Sequence, residues 1–177
     1  MYLSYIQTAL EGAKYHEDQA FLLAHPKSPQ YKKVVFHLRA YFWELWSVWD
    51  YILQHANTQT LKLDPYDVRR GLLKKIRSEL SLYQHLSLLE SIEADDWLIR
   101  IRWLRDHAHK WQIDPYLVDY HEEIVNVIAL NNLEGKDKAL PRQINIDRND
   151  LSFMTDFVKK LTENSFFESH MTENPKT

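Results

Sequence analysis

The densest group of chemically capable side chains lies between residues 100 and 110, in the sequence RIRWLRDHAHK. Six of these eleven residues are Arg, Lys or His, and Asp106 is the one acid among them. Such a concentration of like charge is self-repulsive unless an anion or an acidic partner collects beside it. The residue types therefore predict a site that holds a phosphate group.

The spacing of apolar residues predicts a helix over 94–113 that positions this charge. Large or small apolar residues recur at alternating steps of four and three, which form one stripe on a helix turning about 100° per residue: Trp97, Ile101, Leu104, Ala108 and Trp111. Arg102, Arg105 and His109 fall within about 60° of one another on one shoulder of that stripe. Arg100 and His107 share the other shoulder. The alternative interpretation is a charged outer face that is simply solvated.

The motif R-D-H-A-H in this segment resembles that of HEPN domains (higher eukaryotes and prokaryotes nucleotide-binding). The family motif is an Arg followed by a polar residue, commonly Asn or Asp, with a His four to six residues beyond. Arg105 and Asp106 match its first half, whereas Arg105 and His109 have three residues between them, one short of the pattern. Arg102 has four residues between it and His107, and six between it and His109. An i,i+7 pair lies within about 20° on a helix, which favours Arg102, Arg105 and His109 as one site.

The resemblance implies a small helical bundle that often dimerises and whose active members are metal-independent ribonucleases of toxin–antitoxin or defence systems. Other members only bind nucleic acid. By this resemblance Arg102 and Arg105 would hold an RNA phosphate, His109 would move a proton, and Asp106 would orient a histidine. Further RNA contacts would come from Arg69, Arg70, Lys74, Lys75, Arg100 and His107. The expected partners are RNA, a second copy of the chain and an antitoxin.

Composition predicts an all-α fold, an antiparallel helical bundle of five to six helices. The chain has 177 residues, of which 45% are hydrophobic, with only three Gly and six Pro. These values favour one domain over 1–167, followed by a flexible tail over 168–177. The absence of cysteine excludes disulfides and thiolate metal sites. A net charge of −3 argues against a generally basic surface, so nucleic-acid binding would need a local patch.

Helices are predicted over 2–24, 30–55, 65–91, 94–113, 115–131 and 147–166, from apolar periodicity and from Asp-Pro and Pro signals at their ends. Residues 131–149 are expected to form a long connection, with a short extended piece over 142–146. This connection is either a lid or partner-binding segment, or a disordered loop. The fifth helix is expected to bury Leu117, Tyr120, Ile124, Val127 and Ile128.

The second helix is the most aromatic part of the chain. Its predicted core stripe is Leu38, Phe42, Leu45, Trp49 and Ile52. Further apolar residues lie elsewhere on the wheel: Phe36, Trp43, Trp46 and Val48. A helix that is apolar nearly all round is buried on more than one side, which predicts a dimer contact through this helix. Glu17, on the core face of the first helix, is expected to form a salt bridge, with an arginine of the fourth helix as candidate partner. Glu44 and Asp50 of the second helix are further candidate partners for the arginines of the fourth helix, or they face water.

Competing functions are a catalytically silent interaction module and a metal-binding bundle. No Glu-x-x-His pair occurs, which excludes the usual di-iron pattern. A three-histidine site like that of DinB-like bundles stays open, with His16, His85 and His109 as donors. No cofactor is expected. The N-terminal residues lack the pattern of a secretory signal, and no run of about 18 apolar residues occurs, so a cytoplasmic location is expected.

Overall fold

The fold is taken from a computed structural model that describes residues 2–23, 30–65, 71–80, 85–110, 112–119, 124–130 and 143–162. Within these ranges the backbone forms six helices: α1 (Tyr2–Leu23), α2 (Tyr31–Gln59), α3 (Leu72–Glu79), α4 (Leu86–Glu93), α5 (Asp96–Lys110) and α6 (Arg148–Thr162). Three strands lie between α5 and α6: β1 (Gln112–Asp119), β2 (Ile124–Leu130) and β3 (Gln143–Asp147). The predicted helical bundle is confirmed in its six helices, and the strands are an addition to it.

Helices α1 and α2 form the antiparallel hairpin on which the other helices pack. The start of α1 meets the end of α2, where the Tyr5 and Tyr51 rings lie 5.6 Å apart. Further along, His16 of α1 contacts His37 of α2. Small side chains at Ala9, Ala13 and Ala20 are fully or nearly fully buried, and they let α2 approach α1 closely.

The core runs along α2, as its periodicity predicts. All five residues of the predicted stripe are buried, and Val48 beside them is buried too. Helix α2 continues four residues beyond the predicted end, where buried Asn57 clamps the following turn. Its side chain donates to the Leu63 carbonyl at 2.8 Å and accepts the Leu63 N–H at 3.1 Å. These two bonds satisfy backbone groups of the segment that follows the helix.

The predicted third helix, continuous over 65–91, is wrong. The described part of this stretch holds two short helices, α3 and α4, with non-helical backbone at Leu80. Helix α3 starts after Gly71, whose φ of 77° lies in the left-handed region that glycine adopts without steric cost. Arg77 Nε lies 2.5 Å from Glu90 Oε1, and this ion pair links α3 to α4.

The predicted fifth helix over 115–131 is also wrong, because these residues supply strands β1 and β2. The sheet has the order β1-β2-β3 with antiparallel neighbours, and the register of β1 shifts between Pro115 and Leu117. Four of the seven residues of β2 are Val or Ile, whose branched β-carbons favour strands. Pro115 fits an edge strand such as β1, since proline cannot donate a ladder hydrogen bond. The short extended piece expected over 142–146 is confirmed as β3.

Helix α6 closes the bundle against α1 and α2. Leu151, Met154 and Val158 are buried. The Tyr41 hydroxyl of α2 donates to the Leu151 carbonyl at 2.5 Å and lies 3.1 Å from Thr155 Oγ1. Among the described helices none is both long and apolar enough to span a membrane. The proposed tail over 168–177 lies outside the described residues.

Candidate functional site

Helix α5 begins at Asp96, two residues after the predicted start at 94, and it ends at Lys110, three residues before the predicted end at 113. The Asp95 carboxylate accepts the backbone N–H of Trp97 at 2.8 Å, the geometry of an N-cap, and Asp96 adds an acid to the first turn. The cap fixes the position of the helix start and hence which side chains of α5 face the bundle.

The buried face of α5 is broader than the predicted stripe. Ile101 and Leu104 are buried as expected, and Leu98 and Trp103 are buried as well, whereas Trp97 is only partly buried. On the helical wheel Arg105 lies between Leu98 and Ile101. The position of Arg105 is therefore closer to the core than a solvated outer face would be.

Arg105 is held by an acid and by two indole rings. Its side chain is 18% exposed, and its Nε and Nη2 atoms donate to Asp106 Oδ1 at 3.0 Å and 2.5 Å. The guanidinium carbon lies 4.2 Å from the centre of the Trp46 ring and 5.7 Å from that of Trp43, both on α2. Both rings lie within range of a cation–π interaction. Arg105 is thus positioned in advance, and Asp106 compensates part of its charge.

Asp50 belongs to the same neighbourhood. Burial raises the pKa of its carboxyl group to about 6, and the charge of Arg105 and a hydrogen bond from Trp46 only partly oppose this effect. Although much of the Asp50 side chain is exposed, its carboxyl group is crowded by protein. The charge of Arg105 therefore acts on Asp50 through space, while the Asp50 side chain is exposed, as the interpretation that it faces water predicts. Glu44 instead packs on α1, 3.1 Å from the position that a Gly12 side chain would take, and burial raises its pKa.

The two other arginines of α5 differ sharply from each other. Arg100 Nη2 lies 3.7 Å from Asp150 Oδ2 of α6, and its guanidinium lies over the Trp97 ring at 5.3 Å. Arg102 is exposed and forms no ion pair with any side chain that the structure describes. Of these three arginines, Arg102 is the one that presents its charge to solvent.

The remaining predicted site residues divide into two groups. Lys74 and Lys75 are exposed on α3. His107 and His109 lie in α5, but their side chains are outside the described part of the chain, as are Arg69 and Arg70 entirely. The convergence of Arg102, Arg105 and His109 therefore stays a prediction.

Sequence reasoning missed the role of the Trp43 and Trp46 rings. It placed them off the core stripe of α2 without any link to the fourth helix, and the structure shows that both rings flank Arg105. Their part in a dimer contact stays a prediction. Trp43 keeps 43% of its surface exposed beside this guanidinium. No local signal joins residues 46 and 105, so only the packing of α5 on α2 could reveal the contact.

Glu17 does not pair with an arginine of α5, and that expectation is wrong. Its buried carboxylate accepts hydrogen bonds through Oε1, from Lys14 Nζ at 3.2 Å and from Ser152 Oγ at 3.1 Å. Burial lowers the pKa of Lys14, but hydrogen bonds to Asp18 and Glu17 outweigh it and raise the value overall. Glu17 is thus a structural contact between α1 and α6, as the salt-bridge interpretation predicts.

Two histidines that are distant in the sequence form a pair between α1 and α2. His16 Nδ1 lies 2.9 Å from His37 Nδ1, between Tyr15 and Phe36. Burial lowers the pKa of both rings, and the charges of His37 and Lys33 add to this effect at His16 and His37 respectively. The described residues contain no group of three or more His, Asp or Glu arranged for a metal ion. His109, one of the three expected donors, is not among the described side chains.

Comparison of the chain with protein-family models, with curated proteins and with solved structures finds no significant match. The functional argument therefore depends on the residues and contacts of this chain.

Proposed function

We propose that this protein binds single-stranded RNA through the face of α5 that carries Arg102 and Arg105, as a HEPN-like helical bundle. The observation that supports this proposal is the position of Trp43. Its indole ring is 43% exposed and its centre lies 5.7 Å from the guanidinium carbon of Arg105. Single-stranded nucleic acids are typically bound by cations that contact phosphates and aromatic rings that stack on bases. Arg102 supplies an exposed cation on the same helix.

Arg102 and Arg105 have different environments, and these predict different roles in RNA binding. Arg105 has fixed direction because Asp106 and Trp46 hold it, so binding an anion costs it little conformational entropy. Its Asp106 partner also reduces its net charge, so Arg102 supplies most of the attraction for the phosphate backbone. Lys74 and Lys75, exposed on α3, are candidates for further phosphate contacts.

In the active form of the proposal the protein cleaves RNA without a metal. An arginine stabilises the charge that develops on the scissile phosphate while the 2′-hydroxyl attacks the phosphorus and the 5′-oxygen leaves. His109 accepts the proton of the 2′-hydroxyl or donates one to the leaving oxygen. Such an enzyme would act in the cytoplasm, with an antitoxin as its inhibitor.

Binding is tested by fluorescence anisotropy with an end-labelled single-stranded RNA. Arg102→Ala should weaken binding and reduce its salt dependence by about one counterion, as expected for one phosphate contact. Lys160→Ala, which removes an exposed cation from the last turn of α6, is the control. Equal affinities of wild type and the Arg102 variant would contradict the assignment of this face.

Stacking is tested separately at Trp43. Trp43→Ala should reduce RNA affinity by about 1–3 kcal/mol, the range for loss of one stacked base. Phe36→Ala removes another exposed ring of α2, one that lies beside His16 and not beside Arg105, and it should leave affinity unchanged. A larger loss for Phe36→Ala than for Trp43→Ala would contradict the placement of the base.

Cleavage is tested by incubating the purified protein with total RNA, with and without a chelator. Fragmentation that persists in chelator and is abolished by His109→Ala, while binding remains, is the expected result. Full cleavage by His109→Ala would exclude that histidine from the reaction.

The second candidate function is an interaction module without catalysis. It is favoured by the exposed rings of Phe36 and Tyr15, which are 62% and 57% accessible on neighbouring helices. Exposed aromatic clusters commonly mark protein contacts. If Phe36→Ser abolishes dimerisation in analytical ultracentrifugation and no variant of α5 affects RNA binding, this second function is the better one.

A further inference from the structure

His16 and His37 bring two imidazole nitrogens close enough together to bind one metal ion. The two rings come from different helices of the α1–α2 hairpin, and their Nδ1 atoms are 2.9 Å apart. Both side chains are partly exposed, so the pair is accessible from solvent. Burial lowers the pKa of both rings, and neutral imidazole is the form that binds metals.

The separation of the two nitrogens is informative about which metal would fit. Two nitrogens bound at about 2.1 Å with an angle near 90° at the metal lie about 3.0 Å apart, whereas a tetrahedral angle requires about 3.4 Å. Square-planar or tetragonal nitrogen and oxygen sites are typical of Cu²⁺ and Ni²⁺, and zinc sites are tetrahedral. The 2.9 Å spacing is the hydrogen-bond distance of the metal-free pair, and it lets one ion reach both nitrogens with little movement of either helix. Nitrogen ligands bind Cu²⁺ and Ni²⁺ more tightly than the earlier divalent first-row metals, which supports the choice of these two ions.

We propose that His16 and His37 bind Cu²⁺ or Ni²⁺ through their Nδ1 atoms, as a site that joins α1 to α2. In the absence of metal one Nδ1 carries a proton and the other accepts it in a hydrogen bond. The metal displaces that proton to solvent, the two rings turn until both lone pairs converge on it, and water completes its coordination. The open positions distinguish this arrangement from a closed structural site.

Lys33 is the charged neighbour that opposes a cation here. Its ammonium group acts on His37 through space. Tyr15 lies against both rings, with ring centres 5.2 Å from His16 and 6.2 Å from His37, and Phe36 covers another side. These rings exclude part of the water and limit the rotation of both imidazoles.

The direct experiment titrates the full, chelator-treated protein with Cu²⁺ and follows binding by calorimetry and electron paramagnetic resonance. One equivalent should bind, with spin-echo modulation from two imidazoles. His16→Gln and His37→Gln should each weaken binding by about tenfold or more, because half of the protein ligands are lost. His85→Ala, which removes an imidazole at the start of α4, should bind as wild type does.

Three results would overturn the proposal. They are a signal from a single imidazole in the folded wild type, equal affinity of His16→Gln and wild type, and loss of the tight site in His85→Ala. Circular dichroism of each variant verifies the helical fold, and the count of imidazoles in the wild type does not depend on any variant folding.

Two further measurements separate metal binding from a simple hydrogen-bonded pair. Lys33→Gln should bind Cu²⁺ roughly threefold more tightly, since it removes a nearby positive charge. Metal should also raise the thermal midpoint of wild type but not of His37→Gln, because a ligand that binds only the folded state stabilises it. If the two histidines only form a hydrogen bond and bind no metal, neither effect will be seen, and the proposal would then fail.

Discussion

Arg105 shows how one side chain on α5 serves both the core and the surface. Its aliphatic stem lies on the buried side of the helix, and its head group is held by Asp106 and by the face of Trp46. An amphipathic side chain in this setting contributes packing as well as charge. Arg102, three residues earlier, is exposed and makes neither contact with the described residues.

The first prediction at this scale compares the two arginines. Arg105→Ala should lower the free energy of unfolding by about 1–2 kcal/mol, from the lost cation–π contact and packing. Arg102→Ala should change it by less than about 0.5 kcal/mol, as is usual for an exposed side chain. Urea denaturation followed by circular dichroism measures both. A larger loss for Arg102→Ala would mean that its exposed position is misassigned.

A second prediction concerns Asp50 and pH. Burial raises its pKa from 3.8 to about 6, so the folded chain holds this proton more tightly than the unfolded chain does. Its contribution to stability is therefore full below 3.8 and is lost as pH rises to about 6. Asp50→Asn should stabilise the protein at pH 7 by on the order of 1 kcal/mol, after discounting for solvent screening.

The matched measurement is the difference in unfolding free energy between wild type and Asp50→Asn from pH 3.5 to pH 8. This difference should grow between pH 3.8 and about pH 6 and stay constant at higher pH. A difference that is independent of pH would show that the Asp50 carboxyl titrates alike in the folded and unfolded chain.

At the scale of elements, α1 and α2 approach each other closely at Gly12, where Glu44 of α2 lies against the helix. A β-carbon there would lie 3.1 Å from Glu44 Cδ, which is closer than ordinary van der Waals contact. Glycine within a helix is otherwise less favourable than alanine by up to about 1 kcal/mol. In Gly12→Ala, the contact between the new methyl group and Glu44 would offset the gain in helix propensity.

The corresponding prediction is a double-mutant cycle. Gly12→Ala should stabilise the protein more in a Glu44→Ala background than in wild type, with a coupling of about 0.5–1 kcal/mol. Chemical denaturation of the four proteins gives the coupling directly. Additive effects would mean that Glu44 moves aside without cost.

The sequence predicted the long helices well and the short elements poorly. The stripe of α2 and the cap of α5 are encoded within a few residues, where periodicity and hydrogen bonding act locally. Residues 115–131 were assigned to a helix because their apolar residues also satisfy helical spacing. A run such as IVNVIAL satisfies both periods, and pairing with β1 and β3 decides in favour of a strand.

At the scale of the whole molecule, Tyr41 connects the hairpin to α6 across more than one hundred residues of sequence. Burial raises the pKa of its hydroxyl group, so the hydroxyl stays protonated and donates to the Leu151 carbonyl. Tyr41→Phe should cost about 1 kcal/mol, the net contribution of one buried hydrogen bond, because the Leu151 carbonyl keeps the Thr155 hydroxyl as a donor. Tyr15→Phe, at a 57% exposed position, is the control and should be neutral in the same denaturation assay.

The amino-acid sequence by itself determined the helical class, the core stripe of α2, the start of α5 and the candidate arginines, because these follow from local periodicity and composition. Only the tertiary structure decided which acid or ring each charged side chain meets. Arg105 on Trp46, Arg100 by Asp150, Glu17 by Ser152 and His16 by His37 join residues from different helices. Such contacts depend on how helices cross, and no spacing along the chain specifies that geometry.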